Sequence, residues 1–268
     1  MVMITGATGQ LGSELMKYPN TIASTFDITD EENVKREILK IKPQCIIHCA
    51  AYTSVDKAED EPTVVERVNA IGTKNIAIAC KAIRAKLIYI STDYVFNGTK
   101  NTPYLTTDIP NPQNVYGKTK LQGEIFAQNI LDELFIVRIS WVFGIHGNNF
   151  VKTMLKLAGT KAELDIVGDQ IGSPTYVADI APVLYNLSKT QNYGIYHGTN
   201  QGSCTWAQFA QEIFKQAGKN IKVNHISTFA YPTKATRPKN SCLGEKKLAH
   251  LPPWQDAIAR FLKEYANA

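Results

Sequence analysis

Eight residues near the amino terminus, Thr5-Gly6-Ala7-Thr8-Gly9-Gln10-Leu11-Gly12, constrain the fold of this chain more than any others. They follow a short apolar run, Val2 to Thr5, and lead into a helical stretch from about Gln10. The glycines recur at a spacing of three rather than as G-x-G-x-x-G, and glycines also mark plain tight turns. The context decides between the two. A turn between a buried strand and a helix aims backbone N–H groups at an anion, the arrangement that holds a dinucleotide pyrophosphate.

The rest of the first half keeps alternating. Thr21 to Thr25 reads as a second strand, and Thr29-Asp-Glu-Glu32 reads as a capping box whose helix stops before Pro43. Cys45 to Ala50 is a third strand. A periodic stretch from Thr63 to Ile83 forms a helix, with Val64, Val68, Ile71, Ile76 and Ile78 among its apolar positions. Lys86 to Ser91 and Leu134 to Ser140 supply two more strands, separated by a Pro- and Asn-rich loop (97–114) and a helix. Strands and helices in this order predict an α/β fold, a Rossmann-like doubly wound parallel sheet covered on both faces.

After Trp141 the rhythm loosens into longer loops and helices such as Thr205 to Ala217 and Trp254 to Tyr265, while Tyr176 to Lys189 returns to cover the sheet. The expected division is a dinucleotide-binding part, residues 1–145 with roughly 176–200. Residues 146–175 and 201–268 form a smaller, irregular substrate-binding lobe over the carboxyl ends of the strands.

At 268 residues, 44% hydrophobic and 20% charged, the chain is composed like an ordinary globular protein with a substantial core. No apolar run is long enough to cross a bilayer, and the glycine turn leaves no room for a signal peptide, so a cytoplasmic location is expected. A net charge of +5 with no basic stripe suits an anionic small molecule rather than nucleic acid. The five cysteines form neither a paired framework nor a CxxC, and Cys45 and Cys49 read as packing residues of a strand. His48, inside that strand, reads as a satisfied buried histidine. No carboxylate spacing suggests a metal.

Tyr116 and Lys120 stand four apart, on one face of a helix. There an ammonium can lower a phenol's pKa and make it a proton donor near neutral pH. A lone Tyr-x3-Lys is common, and usually a solvated face. Here it follows a strand ending at Ser91-Thr92, whose hydroxyl can hold the carbonyl oxygen that Tyr116 protonates. The chemistry implied is transfer of a hydride and a proton to a carbonyl.

With these motifs placed, the chain resembles the extended short-chain dehydrogenases/reductases and, within them, the dTDP-4-dehydrorhamnose reductases. The carrying segments are TGATGQLG (5–12), AAYTSVDKAEDEP (50–62), NAIGTKNIA (69–77), STDYVFNG (91–98), NVYGKTKLQGE (114–124), SWVFG (140–144), GNNFVKTML (147–155), DQIGSPT (169–175) and RPKNSCL (237–243). The glycine turn and Tyr-x3-Lys are shared across the superfamily, whereas AYTSVDKAE, STDYVF, GNNF and DQIGSPT point to the rhamnose branch.

The resemblance implies reduction of the 4-keto group of dTDP-4-dehydro-β-L-rhamnose, with Thr92, Tyr116 and Lys120 catalytic. Gly6, Gly9, Gln10, Leu11 and Gly12 would meet the cofactor phosphates, Ala50, Ala51 and Tyr52 would run under the adenosine, and Asp27 with Ile28 would lie near the adenine. Asp93 and Trp141 would line the sugar, although Trp141 also reads as core. Arg237 would meet the diphosphate, and reads equally as one half of a salt bridge fixing the carboxyl-terminal lobe.

NADPH is favoured over NADH because Ala23-Ser24-Thr25 ends the second strand where an NAD-binding acid would stand. Asp27 doing that acidic work is the other reading. A homodimer is implied for the assembly. Bacterial relatives can carry magnesium at a dimer contact, but the ending Lys-Glu-Tyr-Ala-Asn-Ala offers no acidic cluster to match, and no metal is expected. Two alternatives remain: another nucleotide-sugar 4-ketoreductase or epimerase, and a cofactor-binding regulatory subunit of methionine adenosyltransferase.

Overall fold

The structure is a computed structural model that describes residues 1–244 and 248–267. Its centre is a six-stranded parallel sheet. Strands β1 (Val2–Thr5), β2 (Thr21–Ala23), β3 (Cys45–His48), β4 (Lys86–Thr92) and β5 (Leu134–Ile139) are joined by a last strand, Gly194–His197. Starting from that last strand, the order is β5, β4, β3, β1, β2, every pair parallel. The direction of winding reverses between β1 and β3, so the crevice for a ligand opens at their carboxyl ends.

Every residue of β1, β3 and β5 is buried, as expected of strands covered on both faces. On one face Ile4, Ile47, Ile88 and Val137 meet Leu11 and Leu15 of helix α1 (Gln10–Leu15) and Ile180 and Leu184 of the Val177–Leu187 helix. On the other, Met3, Ile46, Leu87 and Ile136 meet Val34 and Ile38 of helix α2 (Glu31–Ile41) and Ile76 of the Gly72–Ile83 helix. Each such side chain contributes about 1.5–3 kcal/mol by leaving water.

Three local expectations are corrected. Helix α2 is capped by Asp30, whose carboxylate accepts from Asn33 N at 3.1 Å. Thr29 is instead drawn into a turn where its N–H donates to Asp27 Oδ1 at 2.9 Å. A carboxylate cap also complements the helix dipole, which a threonine does not. Strand β2 ends at Ala23, not Thr25: Ser24 N still donates to Ile4 O at 2.9 Å, but Thr25 is exposed. The expected 63–83 helix is helical over Pro62–Ile83 but passes through a π turn at Arg67–Ile71, which carries the buried Asn69.

A separate core holds the carboxyl-terminal lobe. Phe143, Met154, Leu164, Phe209, Phe214, Trp254 and Phe261 gather there, between helices Phe150–Leu157, Trp206–Gln216 and Trp254–Ala266. Among the described residues no helix is long and apolar enough to cross a membrane.

Candidate active site

The glycine turn sits where the winding reverses. Gly6 has φ +65°, and a Cβ there would lie 2.7 Å from Ala50 N, so the end of β1 touches the segment after β3. A Cβ at Gly12 would fall 2.1 Å from Gly6 O, so α1 packs against its own turn. Gly9 is different. It caps α1 without a side-chain bond, and a Cβ there would meet only Gly6 O, at 3.3 Å. The turn is tight at its ends and open in its middle.

Ala50, Ala51 and Tyr52 leave β3 half-buried, beside this turn. Asn69 fixes them: its side chain accepts from Tyr52 N at 2.8 Å and donates to Tyr52 O and Thr119 Oγ1, each at 3.2 Å. π turns often mark functional sites, and this one ties the segment to the Val115–Ile130 helix. Sequence reading missed Asn69; the signal was an amide beside the apolar stripe of a helix. Ile28 is buried against Gly72, whereas Asp27 is exposed with its carboxylate in the turn described above.

Strand β4 delivers Thr92 to the carboxyl edge. Thr92 Oγ1 accepts from Tyr94 N at 3.2 Å and donates to Asp93 Oδ1 at 3.0 Å. Asp93 is buried and its carboxyl is pushed up to about 6 by desolvation, against hydrogen bonds from Ser241 and Thr92. The Val115–Ile130 helix begins at Asn114, which accepts from Gly117 N at 2.8 Å and donates to Thr236 O at 2.9 Å. A Cβ at Gly117 would lie 2.2 Å from Tyr94 O, so only glycine lets this helix press onto the turn after Thr92. Tyr116 is thereby held edge-on to Tyr94, ring centroids 5.9 Å apart.

Lys120 is buried, with Nζ donating to Ile90 O at 2.7 Å and standing 4.1 Å from the Tyr89 ring centroid. Desolvation lowers its pKa to about 7, opposed by Glu124 and Cys49. Tyr116 thus meets Thr92, and Lys120 lies against β4 two residues before it, but one expectation is corrected. The Tyr116 phenol is not lowered, and the Lys120 ammonium donates to the β4 carbonyl of Ile90. Desolvation raises the phenol above its ordinary value, and the opposing pull comes from Thr92. His48 is satisfied as expected: Nδ1 pairs with Thr5 Oγ1 at 2.6 Å and Nε2 with Thr73 Oγ1 at 3.1 Å, and burial lowers its pKa to about 3.

A cleft of about 1100 Å³ is lined by Phe150, Met154, Ile166 and Trp206 together with Asp56, Lys234 and Arg237. Arg237 donates to Asp56 Oδ2 at 2.7 Å and to Tyr94 Oη at 3.0 Å, linking this cleft to the Tyr94–Tyr116 pair. The salt-bridge reading of Arg237 is therefore realised, and the side chain also lines the cleft. Trp141 has φ +47°, a strained position for a bulky residue. Its indole stacks on Trp206 at 3.5 Å between centroids and 8° between planes, and it occupies the space a Cβ on Gly172 would need. Trp206 is a cleft residue that sequence reading did not single out. Among the described residues, which exclude Ala268 of the carboxyl-terminal segment, no group of three or more His, Cys, Asp or Glu is placed to hold a metal ion.

A parallel Rossmann-like sheet, a glycine turn after its first strand and a Tyr-x3-Lys helix pressed against the end of its fourth define an extended short-chain dehydrogenase/reductase. Residues 1–267 match the family described as RmlD substrate binding domain, and the chain belongs to that family. It is similar to a dTDP-4-dehydrorhamnose reductase of Aggregatibacter actinomycetemcomitans, 42% identical with 99% of each chain covered. A spore coat polysaccharide biosynthesis protein of Bacillus subtilis is 39% identical, over 100% of this chain and 98% of its own length. Among solved structures, dTDP-4-dehydrorhamnose reductase of Bacillus anthracis in complex with NADP superposes with a TM-score of 0.96 at 43% identity, covering 98% of each chain.

Proposed function

We propose that this protein is a dTDP-4-dehydrorhamnose reductase, reducing the 4-keto group of dTDP-4-dehydro-β-L-rhamnose to give dTDP-β-L-rhamnose with NADPH. The observation that carries the reading is the gathering of Thr92, Tyr116 and Lys120 against the carboxyl end of β4, in a chain aligned end to end with reductases of that name. The turn fits a dinucleotide: Gly9, Gln10 and Leu11 face the pyrophosphate, Gly6 and Gly12 let the backbone close around it, and Ala50 to Tyr52 run under the adenosine. Asp27 and Ile28 lie near the adenine. Ser24 and Thr25 leave a 2′-phosphate unopposed, and the Asp27 carboxylate is spent on Thr29 N, which supports NADPH over NADH.

When bound, the cofactor supplies the hydride. Tyr116 Oη gives its proton to the sugar's O4, Thr92 orients that oxygen, and Lys120 holds the nicotinamide ribose. Trp141 and Asp93 line the sugar. Residues 1–145 with 176–200 hold the cofactor, and 146–175 with 201–268 hold the nucleotide-sugar. The reading includes a homodimer in the cytoplasm, and the five free cysteines suit a reducing compartment.

The test is oxidation of NADPH and NADH, followed by absorbance, with dTDP-4-dehydrorhamnose generated in situ. Turnover with NADPH preferred is the expected result, and binding of NADPH without turnover would refute the substrate assignment. Product stereochemistry at C4 separates this activity from a reductase attacking the opposite face.

Arg237 gives a narrower expectation. A charge-assisted bond from Arg237 to the diphosphate contributes about 1.5–3 kcal/mol, so Arg237→Ala should raise KM for the nucleotide-sugar by about 10- to 100-fold, leaving KM for NADPH unchanged. Unchanged sugar KM with a lowered melting temperature would leave Arg237 only its structural bonds to Asp56 and Tyr94.

A further inference from the structure

Behind the catalytic trio lies an ionic cluster that the proposed chemistry does not use. Glu124 and Arg138 are buried, 1% and 2% exposed, and paired in a fork: Arg138 Nε donates to Glu124 Oε1 at 2.9 Å and Nη2 donates to Oε2 at 2.6 Å. Ser91 Oγ donates to the same Oε1 at 2.5 Å. Ser91 and Arg138 are direct partners in the β4–β5 ladder, and the next rung holds Thr92. Glu124 stands one turn beyond Lys120 and two beyond Tyr116, on the same stripe of their helix. A single carboxylate therefore ties the stripe bearing Tyr116 and Lys120 to the rung beneath Thr92.

We infer that Glu124, braced by Ser91 and Arg138, is a positioning residue that sets the placement of Lys120 and Tyr116 relative to Thr92. The inference rests on the reductase reading of that trio.

Two observations separate this role from plain stabilisation. The helix is already pressed onto the sheet at this level, since a Cβ on Gly123 would lie 2.5 Å from Tyr89 Oη and 2.7 Å from Asn69 O. Attachment alone needs no buried charges, and well-packed apolar residues replace such pairs without loss of stability, whereas a charge-assisted fork imposes direction. The fork is also incomplete. Arg138 Nη1 has no hydrogen-bond partner, and the guanidinium lies 5.1 Å from the Phe96 ring centroid, so the pair serves orientation better than it serves energy.

Charge matters as well as geometry. Lys120 is faced by Glu124 from its own helix, by the Tyr89 ring and Ile90 carbonyl from β4, and by His48 and Cys49 at the end of β3. Arg138 reaches it through Glu124. Of these, Glu124 heads the groups that hold the Lys120 proton on against burial. Tyr116 is raised above its ordinary range, which leaves Lys120 to set the pH at which activity falls on the alkaline side.

The test is the pH profile of kcat and kcat/KM with NADPH and dTDP-4-dehydrorhamnose, for wild type, Ser91→Ala and Glu124→Gln/Arg138→Met. The double variant removes both charges together, so no buried charge is orphaned. It should fold with a wild-type melting temperature, lose on the order of 10- to 100-fold in kcat through misplacement, and show its alkaline fall at lower pH. Ser91→Ala keeps the ion pair and should lose kcat to a smaller degree with KM for NADPH unchanged, which decides the matter if the double variant does not fold. Active wild type with variants matching it in kcat and alkaline limb, or differing only in melting temperature, would overturn the inference alone. Wild type without turnover would overturn the functional reading and this inference with it.

Discussion

Tyr116→Phe is expected to lower kcat by about 10²- to 10⁴-fold, the range typical of losing a positioned general acid, with NADPH affinity and melting temperature unchanged. The ring keeps its edge-on contact with Tyr94, and the helix start is set by Asn114 and Gly117 rather than by the phenol. What disappears is the hydroxyl and its bond with Thr92. The direction of the pKa shift sharpens the expectation. Desolvation raises the phenol, so wild-type Tyr116 is fully protonated at neutral pH and serves as a donor without needing to titrate. Residual activity in the variant would come from hydride transfer with water protonating O4. Stopped-flow NADPH binding and steady-state turnover, measured on the same preparation, check both halves. A variant with native turnover would remove Tyr116 as proton donor, and one that no longer bound NADPH would make the residue a ribose contact first.

The parts of this site that were legible in the sequence are those built from neighbours along the chain. The glycine turn, the strand ending at Thr92 and the Tyr116–Lys120 spacing each declare themselves within a few residues, because a turn, a short apolar run and a period of 3.6 are local geometry. What stayed hidden depends on partners far apart. The Glu124–Arg138 fork, the Asn69 bridge to Tyr52 and Thr119, and the identity of Asp56 as the partner of Arg237 depend on residues brought together only by the assembled sheet and the returning carboxyl-terminal segment. Lys120 shows the same limit within one helix. The four-residue spacing places it near Tyr116, but the direction of its flexible stem was decided by the Ile90 carbonyl and the Tyr89 ring on another element. Asp30 caps α2 in place of Thr29 because the helix starts at Glu31, one residue later than the template places it, with the Asp30 carboxylate accepting from Asn33 N.

The glycine turn yields the second large effect, and its three glycines separate two kinds of requirement. Gly12→Ala should abolish cofactor binding and destabilise the fold by about 1–3 kcal/mol, the usual consequence of forcing an extra methyl into a packed site. Its Cβ would sit 2.1 Å from Gly6 O and 2.8 Å from Ala7 Cα, both backbone atoms that cannot yield without moving α1 or the turn. Gly9→Ala meets a much smaller obstacle. Its φ of −77° suits any residue, and its Cβ would touch only Gly6 O, at 3.3 Å. That variant should keep the wild-type melting temperature and still bind NADPH weakly, because the methyl fills the space the pyrophosphate approaches rather than space the protein occupies. Thermal melts paired with NADPH titrations distinguish the cases. Loss of affinity without loss of stability at Gly9 identifies the open middle of the turn as the phosphate seat. Undiminished affinity in Gly9→Ala would place the pyrophosphate elsewhere and leave the turn only a structural role.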